Sequence, residues 1–427
     1  MSRIPLGEYK PDLDDNETSS TRTIQNGLPR ADGYGPFQDL SPFTQALPGT
    51  CRGYAYARNP DGSVSLFAGT ATKLYKLNNT DFSWSDVSLS GGSYSSLAST
   101  DQWEFQQFNN LFFATQVNAV LQVFNLSCPV TFVNALGSPP QAKYITVVGR
   151  FLVISGISGQ PYRVQWSGLN NVNASTSWDN LTLQSNFQDM ADGGLVRGVA
   201  GGEYGLITQD AALRRMTYAP GNPVIFQIDR ISEEKGIFAP LSLTRSGDRI
   251  FWVGVDGFKM LVPGGYPEAI GKTKVDETFF ADVDNANLQL CIGASDPEGT
   301  RWFLAYKSKA GLAGLFDKML CYDWALKRFS PIKMVGEFIE TLAKPGLTLE
   351  NMDAIAPGAL TITGAANNGS GLIRLTVADT STLTTGQIKA ISAVGGTTEA
   401  NGNWFITVID GTTFDLSQHW PDLAASA

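Results

Sequence analysis

Short apolar runs separated by turn residues fill most of the chain, and their period is two rather than the 3.6 of an amphipathic helix. Runs at 63–69 and 73–77, 111–115 and 119–125, and 144–148 and 151–155 read as paired strands. Over 249–255, Ile250, Trp252 and Gly254 fall on one face and Phe251, Val253 and Val255 on the other. Asp256-Gly257 and a second apolar run, 258–262, follow. Asp-Gly between two such runs predicts a two-residue hairpin, because that turn wants left-handed backbone at both central positions. Asp61-Gly62 and Asp410-Gly411 repeat the signal, and Asp296-Pro-Glu-Gly299 predicts a four-residue turn before a strand over 301–306. One short helix is expected, over 274–283, capped by Thr273 with Asp276 three residues on.

Groups of three or four strands open near Gly53, Trp103, Ala142, Gly193, Ile237 and Leu288. Steps of roughly 40 to 50 residues are the spacing of propeller blades, whereas a β-sandwich pair gives shorter regular spacing. The expected fold is therefore all-β, with a multi-bladed β-propeller-like domain over 51–345. Residues 1–50 read as an extended N-terminal arm. Asp12, Asp14, Asp15 and Glu17 cluster there without apolar periodicity, and Pro29, Pro36, Pro42 and Pro48 remove backbone donors. Such a segment must be held by contact with something else. From 346 to 427 aromatics thin out. Alternation over 372–378, a run over 387–394, and the turns Gly395-Gly396 and Asn401-Gly402 precede runs at 404–409 and 413–416. This predicts a small four-stranded antiparallel β-domain.

Composition narrows the function classes. The 427 residues suffice to bury a core without staples. Only 17% are charged, against roughly 25% in an average soluble protein. A net charge of −9 and a pI near 4.8 argue against a protein that grips nucleic-acid phosphates. The single histidine, His419, stands beside Trp420 near the C-terminus, a poor place for a general base. Cys51, Cys128, Cys291 and Cys321 are scattered, with no metal-ligand spacing, and read as small hydrophobes. The first residues lack the apolar core of a signal peptide, and no stretch of 18 apolar residues exists. Synthesis in a reducing cytoplasm without stable membrane insertion is expected. The Asn-x-Ser/Thr triplets at Asn78, Asn125, Asn173, Asn180 and Asn368 then read as polar loops.

Candidate chemistry is sparse. Gly265 to Thr273 imitates a phosphate-binding loop, but five residues separate Gly265 from Gly271 where four are needed, and Pro267 removes a donor. Asp282, Asp284 and Asn287 resemble the opening of a calcium loop, with Asn287 where glycine is wanted and Ala294 where a bidentate Glu is wanted. Asp189 with Asp192, or Glu233 with Glu234, could supply paired carboxylates, though 40 acidic residues generate such pairs by chance. Arg214-Arg215, Lys272 and Lys274 form small basic spots suited to solvent or interfaces. Trp103, Phe105, Phe108, Phe112 and Phe113 alternate as a core does, rather than as a sugar-stacking platform. No catalytic, cofactor or metal residue is nominated, and no enzyme is expected.

Two segments carry a resemblance. Thr21-Arg-Thr-Ile-Gln-Asn-Gly-Leu-Pro-Arg-Ala-Asp-Gly-Tyr-Gly-Pro-Phe37, with 47–53, 66–70 and 73–77, resembles the opening of the nozzle (tail tubular or stabilisation) proteins of short-tailed bacteriophages. Residues 371–418, including Val394-Gly-Gly-Thr-Thr-Glu-Ala-Asn-Gly-Asn-Trp404 and Thr413-Phe-Asp-Leu416, resemble a small β-domain of phage tail proteins.

That resemblance implies a structural virion protein of a podovirus tail, a β-propeller subunit six copies of which form a ring below the portal and adaptor. It implies contacts with the portal adaptor and with tail fibres or spikes, and transient non-specific passage of genomic DNA at ejection. Low charge content suits large subunit interfaces, and an acidic conduit wall would let DNA slide. The alternative from another class is a glycan-binding tail or secreted propeller, which needs solvent-facing Trp or Tyr on loops.

Overall fold

The computed structural model describes residues 6–14, 20–38, 40, 42–90, 92–128, 130–180, 184–221, 225–233, 235–296, 298–341, 360–381, 383, 385 and 388–417. The chain divides into two compact units, Met1–Gly346 and Leu347–Ala427.

In the first unit, the described residues form six four-stranded antiparallel sheets, each built from four consecutive strands. They span 54–86, 104–134, 142–189, 196–233, 244–269 and 292–336, and are numbered here as blades 1 to 6. This is a six-bladed β-propeller. The alternation in each strand explains the packing, since successive side chains face opposite neighbours. In Val64–Gly69, Phe67 packs towards blade 2 with Phe112 and Phe124, while Val64 and Leu66 face the other way. Equivalent shared clusters join blades 2 and 3, 3 and 4, 4 and 5, and 5 and 6. The aromatic run of blade 2 is core: Trp103, Phe108, Phe112 and Phe113 are buried and Phe105 is half-buried.

The arm packs on its own propeller. A hairpin of Gly27–Arg30 and Gly33–Pro36 lies beside Arg328–Gly336, the outer strand of blade 6. Asn26 N–H donates to the Pro331 carbonyl at 3.1 Å and Lys333 N–H to Asn26 Oδ1 at 2.8 Å. Tyr9 and Tyr34 join the core shared by blades 5 and 6.

Three expectations are corrected. The helix forms as Asp276–Asp282, but Thr273 does not cap it. Asp12 of the arm does, accepting from the N–H groups of Glu277 and Thr278 at 2.9 Å each and from the Thr278 hydroxyl at 2.6 Å. The Asp-Gly hairpins exist without the expected turn. Gly254 pairs with Gly257, so Val255 and Asp256 are the central residues, and neither has positive φ. At the other two sites the aspartate instead accepts N–H bonds from residues beyond it, Ser63 for Asp61, and Thr412 and Thr413 for Asp410. Finally, the described residues of the C-terminal domain form five strands. Ile362–Asn367 extends the sheet beyond the four expected, and the order is 362–367, 373–377, 413–417, 402–408, 388–391. Its core holds Leu375, Val377, Ile406, Phe414 and Leu416. Among the described residues no helix is long and apolar enough to cross a membrane.

Candidate functional site

The innermost strands of all the blades converge on one axis, so residues far apart in sequence meet there. Here the convergence encloses a cavity of about 240 Å³. Glu104, Tyr144, Gly198, Arg245 and Gly293 supply its wall from blades 2 to 6, and Phe338 and Glu340 enter it from the segment that leaves blade 6. This exit segment is pinned by the Thr341 hydroxyl, which donates to the Ser295 carbonyl at 2.8 Å. Above it, the loops that lead into the innermost strands surround a second cavity of about 340 Å³. Lys143 pairs there with Asp101 and Arg197 with Asp210, each at 2.6 Å. Gln102 is 7% exposed; its amide N–H₂ reaches the Gln289 carbonyl at 3.4 Å, and its amide oxygen has no partner.

Two carboxyls in this channel are pushed well above their ordinary range. Burial pushes Glu104 up to about 8; the Ile145 N–H, 3.2 Å away, opposes the shift and the charge of Glu340 adds to it. The surrounding protein draws Glu340 up to about 7, against the bond from Thr341 N–H. Glu340 is open to solvent within the channel while Glu104 is half-buried. Water therefore screens Glu340 more, and the proton is held best at Glu104. Near neutrality the two do not carry two full charges. These carboxyls were not visible in the sequence; the one hint is an acidic residue opening the strand Glu104–Phe108, whose other polar residues, Gln106 and Gln107, are uncharged.

The residues singled out by sequence lie elsewhere and do not assemble. Gly265 and Gly271 are separated by the strand Glu268–Ala269. The Gly271 carbonyl accepts from Lys274 and Val275, and a side chain at Gly271 would meet the Asp276 carboxylate at 2.0 Å, so an acid stands where a phosphate would. Asp282 accepts from Lys318 at 2.8 Å and from the Tyr306 hydroxyl at 3.0 Å. Asp284 accepts from Lys307 at 2.8 Å and from the Asn287 amide at 2.8 Å; the Lys307 bond leads in holding its carboxyl down to about 2. Those lysines already neutralise the acids a calcium ion would need. Asp189 forms a fork with Arg163 at 2.7 and 2.8 Å, and Asp192 pairs with Arg214 at 2.5 Å and with Arg230. Glu233 bonds Arg230 at 3.1 Å; Glu234, His419 and Trp420 lie outside the described residues.

Arg214 and Arg215 project to opposite faces of their strand, Arg214 to Gln209 and Asp192, and Arg215 to the Gly265 carbonyl and the Tyr204 ring. Lys274 pairs with Glu8 of the arm at 2.6 Å. Cys291 and Cys321 are buried and Cys128 exposed, all four cysteines are free thiols, and burial raises the Cys51 thiol to about 11.

No protein-family model and no curated protein matches the chain. Solved structures similar to it include a quinonprotein alcohol dehydrogenase-like protein from Bacteroides thetaiotaomicron, 9% identical, the match spanning 66% of either chain, just under two thirds, with a TM-score of 0.38. Virginiamycin B lyase from Staphylococcus aureus is 10% identical over 78% of this chain and 94% of its own, with a TM-score of 0.41. The Pan2 WD40 domain of Neurospora crassa is 8% identical over 77% and 86%, with a TM-score of 0.41. Their likeness to this chain is one of bladed β-architecture.

Proposed function

We propose that this protein is a structural subunit of the tail nozzle of a short-tailed bacteriophage, assembling as a ring that retains and then conducts DNA. The reading rests on one observation. The letters that resemble nozzle proteins at 21–37 include the hairpin on blade 6, and the described residues of 371–418 belong to the small β-domain, so in sequence a six-bladed propeller lies between two parts of the expected kind. The propeller's own channel holds Phe338 and Glu340, so the conduit in this reading is the lumen enclosed by the ring of subunits. An acidic chain of net charge −9 suits such a wall, which must release DNA rather than hold it.

A closed ring requires two different complementary patches per subunit. Native mass measurement, alone and with the portal adaptor, tests it. A particle near six times 46.0 kDa with a central hole is expected in at least one condition, and a monomer in both overturns the reading. The glycan-binding alternative is weighed by aromatic exposure. Every described tryptophan is buried or half-buried, which leaves Tyr266, 79% exposed, as the most open stacking surface. Glycan-induced quenching lost in Tyr266→Ala would favour that alternative.

A further inference from the structure

Among the described residues, five of the six contacts between neighbouring blades are fused cores, and the sixth is not. Between blades 6 and 1 each face has its own cluster. Blade 6 presents Met319, Cys321 and Ile332, and these are covered by Leu28 and Phe37 of the arm and by Ile339 of the exit segment. Blade 1 presents Val64, Leu66 and Leu77, and these are covered by Phe43. The alternation of the strands requires this. Leu320 and Tyr322 of Phe316–Asp323 point into the blade 5–6 core, so Met319 and Cys321 must face the seam.

The arm is bonded to both sides. Asn26 and Arg30 bond the outer strand of blade 6, as does Gly27, whose carbonyl accepts from the Ser330 hydroxyl. Gln45 bonds blade 1, its N–H to the Phe82 carbonyl and its carbonyl to the Trp84 indole, both at 3.0 Å. The Phe43 ring packs against Phe82, centroids 5.1 Å apart and planes tilted by 49°. A segment anchored to both edges of one unfused interface, with its own apolar side chains filling each face, has the mechanics of a clamp.

We propose that the N-terminal arm is a strap that closes the ring of blades, and that loosening it opens the propeller at the seam between blades 6 and 1 while the other five interfaces stay shut. The native thiols report on this directly. Cys321 lies in the seam, on blade 6, and Cys291 lies in the fused core of blades 5 and 6. Glu337 of the exit segment adds a second tie across the seam, accepting from the Cys51 N–H where the chain enters blade 1. Alkylation of Cys321 and Cys291 by iodoacetamide under native conditions, followed by peptide mass mapping, is compared in wild type, Phe43→Ala, and Phe43→Ala/Glu337→Gln. Phe43 sits in the blade 1 cluster, apart from that of Cys321, so a merely local contact leaves Cys321 untouched. The strap predicts a labelling rate for Cys321 at least tenfold higher in the double variant, a smaller rise in the single one, and an unchanged rate for Cys291. Cys321 unchanged in both variants, or both cysteines rising together, overturns the proposal. The single variant keeps the test decisive if the double one does not fold.

Discussion

The backbone N–H of Cys51 donates to the carboxylate of Glu337 across 2.6 Å, joining the point where the chain enters blade 1 to the point where it leaves blade 6. A bond from a partly buried N–H to a charged acceptor contributes about 1.5–3 kcal/mol, and losing the acceptor strands the donor. Glu337→Ala is therefore expected to lower stability by about 2 kcal/mol in urea unfolding. Cys51→Ser, which keeps the backbone donor, is expected to fall within about 1 kcal/mol of wild type.

The channel carboxyl gives a pH signature of unusual sign. Glu104 is held near 8 against an ordinary 4.5, so the folded state binds its proton more tightly than the unfolded state. Its contribution is fully present below about 4.5 and is lost as pH rises from there through 8. Between pH 5 and 8 thermal stability should decline, by on the order of 2 kcal/mol after allowing for water in the channel. Glu104→Gln should flatten that slope and melt higher than wild type at pH 8. A Glu104→Gln protein that keeps the full slope would place the proton elsewhere.

Trp103 closes blade 1 against blade 2 and tolerates nothing larger than glycine opposite it. A side chain at Gly69 would meet the indole at 2.4 Å, while the indole N–H is committed to the Thr70 carbonyl at 2.8 Å. Overpacking of this kind costs about 1–3 kcal/mol. Gly69→Ala should lower the chemical midpoint accordingly, and Gly92→Ala, where nothing lies within 4 Å, should not.

In the C-terminal domain, Asp415 accepts a fork from Arg374 at 2.7 and 2.9 Å and the Asn368 amide at 2.9 Å. Arg374 leads in holding its carboxyl below the usual 3.8, so the stabilisation is present above that value and lost as pH falls below it. A fragment of residues 347–427 is expected to fold alone, and Asp415→Asn should lower its midpoint at pH 7 while narrowing its acid sensitivity. Circular dichroism of the fragment against pH measures both.

The bladed order was legible because local rules write it. Blades expected near Gly53, Trp103 and Ala142 begin at Tyr54, Glu104 and Ala142. Those expected near Ile237 and Leu288 begin later, at Thr244 and Ile292, because the linkers before them carry short 3-10 turns at Pro240–Ser242 and Asn285–Leu290. The Asn-x-Ser/Thr triplets at Asn78, Asn125 and Asn368 are Asx turns, each asparagine oxygen accepting the N–H two residues on. What was not legible depends on residues far apart. No local rule links Asp12 to the helix it caps, and nothing around Leu28, Phe37 or Phe43 announces the clusters on blades 6 and 1 that they cover. Glu104 and Glu340 meet only because six blades close on a common axis.

The arm also sets an order of events. Ser330 bonds Gly27 across 303 residues of sequence, and Tyr34 bonds the Phe329 carbonyl across 295. Each blade is made of consecutive strands and can form as it emerges, but the hairpin at 27–36 must wait for blade 6. At roughly 5–20 residues per second of synthesis, that interval is about 15–60 s. For that time Leu28, Tyr34 and Phe37 have nothing of their own chain to cover them. The first segment made is thus among the last to dock, and the nascent chain carries an uncovered apolar hairpin through most of its own translation.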